Sequence, residues 1–189
     1  QTYSDLNDLQ TNYTNSSRNS IRPKVGFTFE KNKYSFNFNS STSMMDYDNH
    51  SIYLKKDTEL NKKYFLPYVN AQIRYKLDRS KYLTLKYDYD NKLPTPVQII
   101  PVANLSNPLV TFIGNPELDP NSTHTGSLNF NNYNFRERSG YNLYIKTNFF
   151  ENEIVSTSVF DANGKKTTSY VNVKNTHSTS IGGNWNQYI

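Results

Sequence analysis

The alternation of apolar and polar residues across Tyr64–Tyr89 is the feature that most restricts how this chain can fold. Every second residue in Val69–Leu77 is apolar, and the residues between them are polar. After a polar turn at residues 78–81, the alternation resumes over Leu83–Tyr89. A period of two places successive side chains on opposite faces of a strand. We therefore predict an antiparallel hairpin with one apolar face and one polar face.

Both arms of this hairpin are long for a globular protein, whose strands usually have ~5–6 residues. They are long enough to cross a bilayer, which takes ~9–11 residues in a tilted strand. The apolar face would pack on a second sheet in a soluble sandwich, or on lipid in a membrane barrel. The register is well specified, because in a barrel a slip by one residue would turn Arg74, Lys76 and Lys86 towards lipid, at ~2–4 kcal/mol each near the midplane.

Composition narrows the class of protein further. The chain of 189 residues has no Cys, which excludes a disulfide framework and a thiolate metal site. Mean hydropathy is −0.80, and no stretch approaches the ~18 apolar residues of a membrane helix. This does not argue against a barrel, because a barrel strand turns only alternate residues towards lipid. The net charge of +5 comes from Lys and Arg scattered along the alternating stretches, which argues against nucleic-acid binding.

Further strands are predicted on both sides of the hairpin, giving about seven in all: Arg22–Glu30, Tyr34 to about Met45, Thr123–Tyr133, Tyr141–Phe149, and about Val171 towards Trp185. Gln1–Ser20 and Asp46–Lys63 are polar and are predicted to be irregular. Six prolines within Leu93–Pro120 exclude a central strand or a helix there. Asn163-Gly164 predicts a hairpin turn.

The connections alternate between short and long. Short turns are predicted at Lys31–Lys33, Asp78–Lys81 and Phe135–Gly140, and long excursions at Asp46–Lys63, Leu93–Pro120 and Glu151–Ser169. An up-and-down meander with all short turns at one rim is the layout of outer-membrane barrels, whereas a Greek-key sandwich mixes lengths. We predict an all-β, antiparallel up-and-down meander that forms part of a transmembrane β-barrel, with a soluble sandwich as the alternative.

The sequence predicts no catalytic residue and no metal or cofactor site. The three histidines have no metal-ligand spacing, and the start of a calcium loop at Asp46 and Asp48 lacks its glycine and terminal glutamate. Glu117 and Asp119 lie in a proline-bounded turn, where such carboxylates usually bond their own backbone. We therefore predict that the protein is not an enzyme.

Aromatic residues are the remaining candidates for contacts. Tyr47 and Tyr53 lie in the predicted loop of residues 46–63 and could stack on a sugar, with a merely solvated loop as the alternative. Five tyrosines near strand ends are predicted to form girdles at the membrane interfaces: Tyr64, Tyr68, Tyr89, Tyr133 and Tyr141.

Several short motifs follow one another in a recognisable order. They are Leu66-Pro67-Tyr68-Val69-Asn70, Leu83-Thr84-Leu85-Lys86-Tyr87, Pro94-Thr95-Pro96, Asn107-Pro108-Leu109, Gly114-Asn115-Pro116-Glu117-Leu118-Asp119-Pro120 and Gly126-Ser127-Leu128-Asn129-Phe130. This order resembles the C-terminal half of TonB-dependent receptors, and in particular the outer-membrane β-barrel domain family abundant in Bacteroidota. The resemblance covers most of the chain, from Phe27 to Trp185, and the Gly-Asn-Pro-x-Leu-x-Pro segment is its most specific part.

The resemblance implies a barrel of about 22 strands with a plugged lumen. It implies a location in the cell outer membrane and a role in nutrient uptake, with a siderophore or a glycan as substrate. The implied partners are outer-membrane lipid, TonB through an N-terminal region absent here, and a surface lipoprotein. We expect residues 1–189 to be part of a single outer-membrane β-barrel domain without a plug domain. Two alternatives stay open: a barrel that transports nothing and serves structure or assembly, and a soluble glycan-binding β-sandwich.

Overall fold

The computed structural model describes residues 12–53, 56–101, 104–107 and 109–187. Its strands are β1 (Asn12–Ile21), β2 (Lys24–Lys31), β3 (Tyr34–Tyr53), β4 (Lys56–Lys76), β5 (Lys81–Lys92), β6 (Asn104–Asn107), β7 (Val110–Phe112), β8 (Asn121–Asn134), β9 (Ser139–Phe160) and β10 (Lys166–Gln187). A single helical turn, α1 (Pro96–Ile99), precedes β6. Within these described ranges, no helix has the length and apolarity needed to cross a membrane.

All the strands belong to one sheet, in the order β1-β3-β4-β5-β8-β9-β10-β7-β6, with β2 also beside β3. Neighbours are antiparallel except for the short parallel pair of β7 and β10. Strands β1 and β2 pair with successive parts of β3 and form one wall strand that is broken at Arg22 and Pro23. Without the short β6 and β7, the sheet therefore has seven long wall strands. The predicted all-β antiparallel meander is confirmed, and its sheet is open rather than closed.

The three predicted short turns are confirmed and lie at one rim, here called the short-turn rim. In the second turn, the Asp78 Oδ1 atom accepts hydrogen bonds from the backbone N–H groups of Ser80, at 2.8 Å, and Lys81, at 2.9 Å. These bonds stabilise the carboxylate, and the bond from the Ser80 backbone is the main reason that the pKa of Asp78 is lowered. In the first turn, Asn32 has a left-handed φ of 51°, which lets the chain reverse its direction.

Two predictions of irregular structure are wrong. Residues 46–63 are not a loop, because β3 continues to Tyr53, β4 begins at Lys56, and the two pair residue by residue, with Asp46 opposite Lys63. Likewise Asn12–Ile21 forms β1 beside β3, while residues 1–11 lie outside the described ranges. In both cases the neighbouring strand supplies the backbone partners, so pairing overrides a composition that is unfavourable for strands.

The proline-rich stretch between β5 and β8 also contains short regular elements. Pro96 occupies the first position of α1, where its missing N–H costs nothing, and the Thr95 N–H donates to the Gln98 side chain at 2.8 Å. The expectation that the prolines exclude every helix is therefore wrong for this one turn. At the other long connection, the predicted Asn-Gly turn is confirmed, with Gly164 at a φ of 77°.

Candidate functional site

One complete row of apolar side chains crosses the seven wall strands. Strand register places the following residues side by side: Phe29, Phe36, Ile73, Leu85, Leu128, Ile145 and Ile181. Six of them are exposed, from 38% for Leu128 to 78% for Ile181. The predicted apolar arms of residues 64–89 are thus one section of a continuous surface, which we call the apolar face.

Aromatic contacts extend the apolar face from this row towards the short-turn rim. The rings of Tyr34 and Tyr75 lie 4.9 Å apart, and those of Phe130 and Tyr141 lie 5.9 Å apart. Within the described part of the chain, all the strands lie in one sheet and none of them covers this face, unlike the two packed sheets of the soluble-sandwich alternative. An exposed apolar surface of this extent requires an apolar environment, because its hydration is unfavourable.

The edge of the apolar face that lies away from the short-turn rim, which we call its upper edge, does not follow one register row. On β9 the unbroken run of apolar residues on this face ends at Phe149, because Glu151 and Glu153 follow it. Register connects Phe149 to Val25 on β2. On the wall strand formed by β1 and β2, the apolar face continues four residues beyond Val25, to Ile21. The next residue on that face is the polar Asn19. The upper edge therefore rises by about 13 Å across five strand spacings, which together measure about 24 Å. This corresponds to an angle of about 30°. A level band on strands tilted by roughly 35–45° has a similar slope.

The opposite surface, the polar face, carries hydrogen-bonded side chains on alternate positions. Asn70 Nδ2 donates to Asp88 Oδ1 at 2.5 Å, linking β4 to β5. Thr125 Oγ1 donates to Asn148 Oδ1 at 2.9 Å, and Asn148 Nδ2 donates to Ser178 Oγ at 3.2 Å. These bonds join β8, β9 and β10, so the polar face is a connected, hydrophilic surface.

A pocket with a cavity volume of about 420 Å³ lies on the polar face, and charged groups of both signs line it. They are Lys24, Lys86, Lys146, Asp88 and Asp90. The Lys86 Nζ atom is 3.3 Å from Asp88 Oδ2. This arrangement offers donors and acceptors to a polar ligand, and it contains no nucleophile paired with a base.

Tyr68 adds an aromatic ring to the same pocket. The guanidinium carbon of Arg22 lies 4.3 Å from the centre of this ring, and the hydroxyl donates to the Asn91 carbonyl at 3.1 Å.

Above the pocket the polar face becomes buried. Tyr47 on β3 and Leu66 on β4 are only 4% and 3% exposed, and Ile99 and Leu118 from the β5–β8 connection are each 1% exposed. These four residues form the apolar core of the described chain. The core therefore lies on the polar face, at the end of the sheet with the long connections.

The segment Gly114–Pro120, which we call the bridge, joins two distant strands at this level. Lys62 Nζ on β4 donates to the carbonyl oxygens of Pro116 and Leu118. At the other side, the Asn115 side chain donates to the Tyr170 carbonyl on β10 at 2.9 Å. The bridge then leads directly into β8.

The two tyrosines predicted to contact ligand are placed differently from the expectation. Tyr47 is buried on β3, and the Arg18 guanidinium carbon lies 5.4 Å from the centre of its ring. The backbone of Tyr53 ends β3, and its side chain lies outside the described part of the structure. A ligand contact by either residue stays a prediction, but the loop on which the prediction rested is a paired hairpin.

A cluster around His124 on the apolar face was missed by the sequence analysis. His124 Nδ1 is 2.7 Å from the Tyr87 hydroxyl, and His124 Nε2 is 3.0 Å from Glu151 Oε1. The Tyr89 hydroxyl donates to Glu151 Oε2 at 3.4 Å. These residues come from β5, β8 and β9, and only the strand register brings them together. The cluster ends the apolar face on these three strands.

The predicted tyrosine girdles are correct in position for only part of the set. Tyr89 and Tyr141 occupy positions of the apolar face, in register with His124 and Trp185. Three others occupy positions of the polar face and cannot belong to an outer girdle: Tyr64, Tyr68 and Tyr133. Within the described residues, no three His, Asp or Glu side chains are arranged to hold a metal ion.

A comparison with protein families gives a match. The sequence model of a family described as "Outer membrane protein beta-barrel family" matches residues 11–188, nearly the whole chain. No curated protein matches the chain.

Proposed function

The chain belongs to the outer membrane protein beta-barrel family and is located in the outer membrane; from this premise, we propose that it forms part of the wall of a TonB-dependent transporter that imports a nutrient. The observation that carries the proposal is the apolar row that crosses all seven wall strands, opposite a hydrogen-bonded polar face. A barrel wall has this construction, with lipid outside and a polar lumen inside.

In this proposal the apolar face contacts outer-membrane lipid. The exposed Ile, Leu and Phe side chains of the apolar row then meet hydrocarbon instead of water, at a gain of about 25 cal/mol per Å² of apolar surface. Additional strands complete the barrel at the β1–β2 edge and at the β10 edge, because unpaired backbone groups are costly in hydrocarbon.

The polar face lines the lumen and supplies the contacts for the substrate. The pocket beside Tyr68 has ammonium and carboxylate groups as well as an aromatic ring, which suits a hydroxyl-rich or charged nutrient such as a glycan or a siderophore. The motifs from Leu66–Asn70 to Gly126–Phe130, and their resemblance to TonB-dependent receptors, support energy-coupled import. We propose no enzymatic activity.

The two rims of the sheet then have different surroundings. Short turns face the periplasm in outer-membrane barrels and long connections face the exterior. On this basis the turns at residues 31–33, 78–81 and 135–140 are periplasmic, and the hairpins β3–β4 and β9–β10 are extracellular together with the bridge. A surface lipoprotein as partner would meet the protein at these hairpins.

The test is growth of a strain that lacks the gene, with the intact gene restored as the control. Each strain receives a single siderophore as its means of iron supply, or a single oligosaccharide as its carbon source. We expect the deletion to abolish growth on at least one compound, and inactivation of TonB to abolish growth on the same compound. Equal growth of both strains on every compound would contradict import and favour a barrel with a structural role.

A further inference from the structure

One register row interrupts the sheet from one side to the other. It lies two residues above the row that contains Val25 and Phe149, and it consists of Pro23, Thr42, Pro67, Asn91, Ser122, Glu151 and Asn175. We call it the hinge row. Each of its residues comes from a different wall strand, so no local stretch of sequence contains it.

Two prolines weaken the row on its β2–β4 side. The Thr42 N–H donates to the Pro23 carbonyl at 3.2 Å, but Pro23 has no N–H with which to return the bond. The wall strand is broken into β1 and β2 at this point. On the next strand but one, Pro67 also lacks an N–H, and the backbone pairing of β4 with β5 stops just below it, at Val69 and Tyr89.

The row is also interrupted on its β8–β10 side. The pairing of β8 with β9 stops at Thr123 and Phe150, immediately below the row. The pairing of β9 with β10 omits Glu151 and Asn175, and Asn175 has a left-handed φ of 60°, which is unusual inside a strand. Four of the six strand-to-strand pairings therefore stop or break here, while β3–β4 and β5–β8 pass through.

Side chains replace the missing backbone bonds at the centre of the row. Asn91 Nδ2 donates to the Pro67 carbonyl, and Ser122 Oγ donates to Asn91 Oδ1 at 2.6 Å. The Asn91 N–H donates to the Asp90 carboxylate at 3.0 Å. Such bonds end on rotatable side chains, so they allow a change of angle that a continuous backbone ladder would resist.

Above the hinge row the sheet divides into two ribbons. One consists of the upper parts of β1, β3 and β4, and the other of the upper parts of β9 and β10 with β7 and β6. The bridge connects them through side chains: Lys62 holds it to the first ribbon, and Asn115 holds it to the second. Asn172 Nδ2 adds a bond from the second ribbon to the Asp119 carbonyl at 3.1 Å.

We propose that the hinge row is a line of bending at which the two extracellular ribbons swing relative to the wall, and that the bridge holds them closed above the polar pocket. Lys24, Tyr68 and Asp90 of that pocket lie directly below the row, so separation of the ribbons widens the entrance to it. The extracellular location of the ribbons rests on the proposed function. The line of bending rests on the strand register alone.

The experiment measures distances between spin labels in the intact protein in lipid nanodiscs, by pulsed electron paramagnetic resonance. One pair of labels joins the two ribbons, at Glu59→Cys and Val159→Cys. A second pair joins the wall below the row, at Phe27→Cys and Ile181→Cys, all at exposed positions. The chain itself has no Cys that would compete for the label.

We expect a broad or double-peaked distance distribution for the ribbon pair and a narrow one for the wall pair. Lys62→Met removes the bond to the bridge and shifts the ribbon pair to longer distances. Its matched control is Lys63→Met, because Lys63 is the next residue, on the opposite face, and its side chain is 90% exposed. Pro67→Val restores a backbone donor and narrows the ribbon distribution.

The proposal is overturned if the ribbon and wall pairs have equally narrow distributions and Lys62→Met changes neither. That result would leave the growth test untouched, because uptake is measured separately on the unlabelled protein. A change in the set of compounds taken up, with no difference in distance distribution between the two label pairs, would also refute the hinge but not the transporter.

Discussion

The placement of arginine on the two faces of β8 gives the sharpest test of the wall. Leu128 belongs to the apolar row, and Asn129 is the next residue, on the polar face between Thr84 and Tyr144. The apolar row lies four residues below Phe149, where the apolar face ends on β9, and four above Tyr141. Leu128 is therefore at the centre of the band, where the surroundings are least polar.

The expected magnitude follows from this position. Arginine on the lipid side of a barrel costs ~2–4 kcal/mol at the bilayer midplane and ~0–1 kcal/mol near the interfaces. Because 1.4 kcal/mol is a factor of ten, Leu128→Arg should lower the ratio of folded to unfolded protein roughly 30- to 1000-fold. Asn129→Arg adds the same side chain where water can solvate it, so we expect a loss below about 1 kcal/mol.

Urea titration of the intact protein in phospholipid vesicles provides the measurement. The folded fraction is read from the difference in gel mobility between unheated and heated samples. Leu128→Arg should shift the midpoint to clearly lower urea than Asn129→Arg. Equal midpoints for the two variants would refute the assignment of the apolar face to lipid. If water surrounded both faces, arginine at position 128 would cost no more than arginine at position 129.

Three further perturbations test other parts of the structure. A Cβ at Gly114 would overlap the backbone of Ile100, so Gly114→Ala should displace the bridge at a cost of ~1–3 kcal/mol, seen as faster proteolysis between β5 and β8; unchanged cleavage would contradict this. The lowered pKa of Asp78 means that its contribution to the turn is complete above the ordinary carboxyl pKa and is lost as the pH falls through the lowered value; protection of the Ser80 amide from exchange should fall with it, and Asp78→Asn should remove this pH dependence. His124→Phe keeps the ring and removes both hydrogen bonds, so it should cost ~1–3 kcal/mol in the urea titration, and a neutral result would show that the cluster contributes nothing to stability.

The strands of the wall were predictable because their signal is local. In the hairpin of residues 64–89, the alternation itself places Ile73 and Leu85 on one face, and the structure pairs these two residues directly. The short turns were predictable for the same reason, since Asp78 and its two backbone donors lie within four consecutive residues. Neither feature depends on what the rest of the chain does.

The upper half of the structure was not predictable in this way. Residues 46–53 and 56–63 are mostly polar, and they form strands because β3 pairs with β4 on one side and with β1 on the other. Tyr47 was expected to be accessible, and it is buried at the level where Lys62 holds the bridge. More than fifty residues separate Lys62 from the carbonyl groups that it binds, and no pattern in the sequence connects them.

The amino-acid sequence alone determined the two faces of the wall, because the chemistry of alternate side chains and the two-residue period of a strand are properties of each segment by itself. The tertiary structure decided which residues share a row. Pro23, Pro67 and Asn175 are visible in the sequence, but their alignment depends on the register of every strand between them. A shift of one residue in any one of these pairings would move one of these three residues out of the row. The hinge row and the His124 cluster exist only because the pairings add up across the sheet.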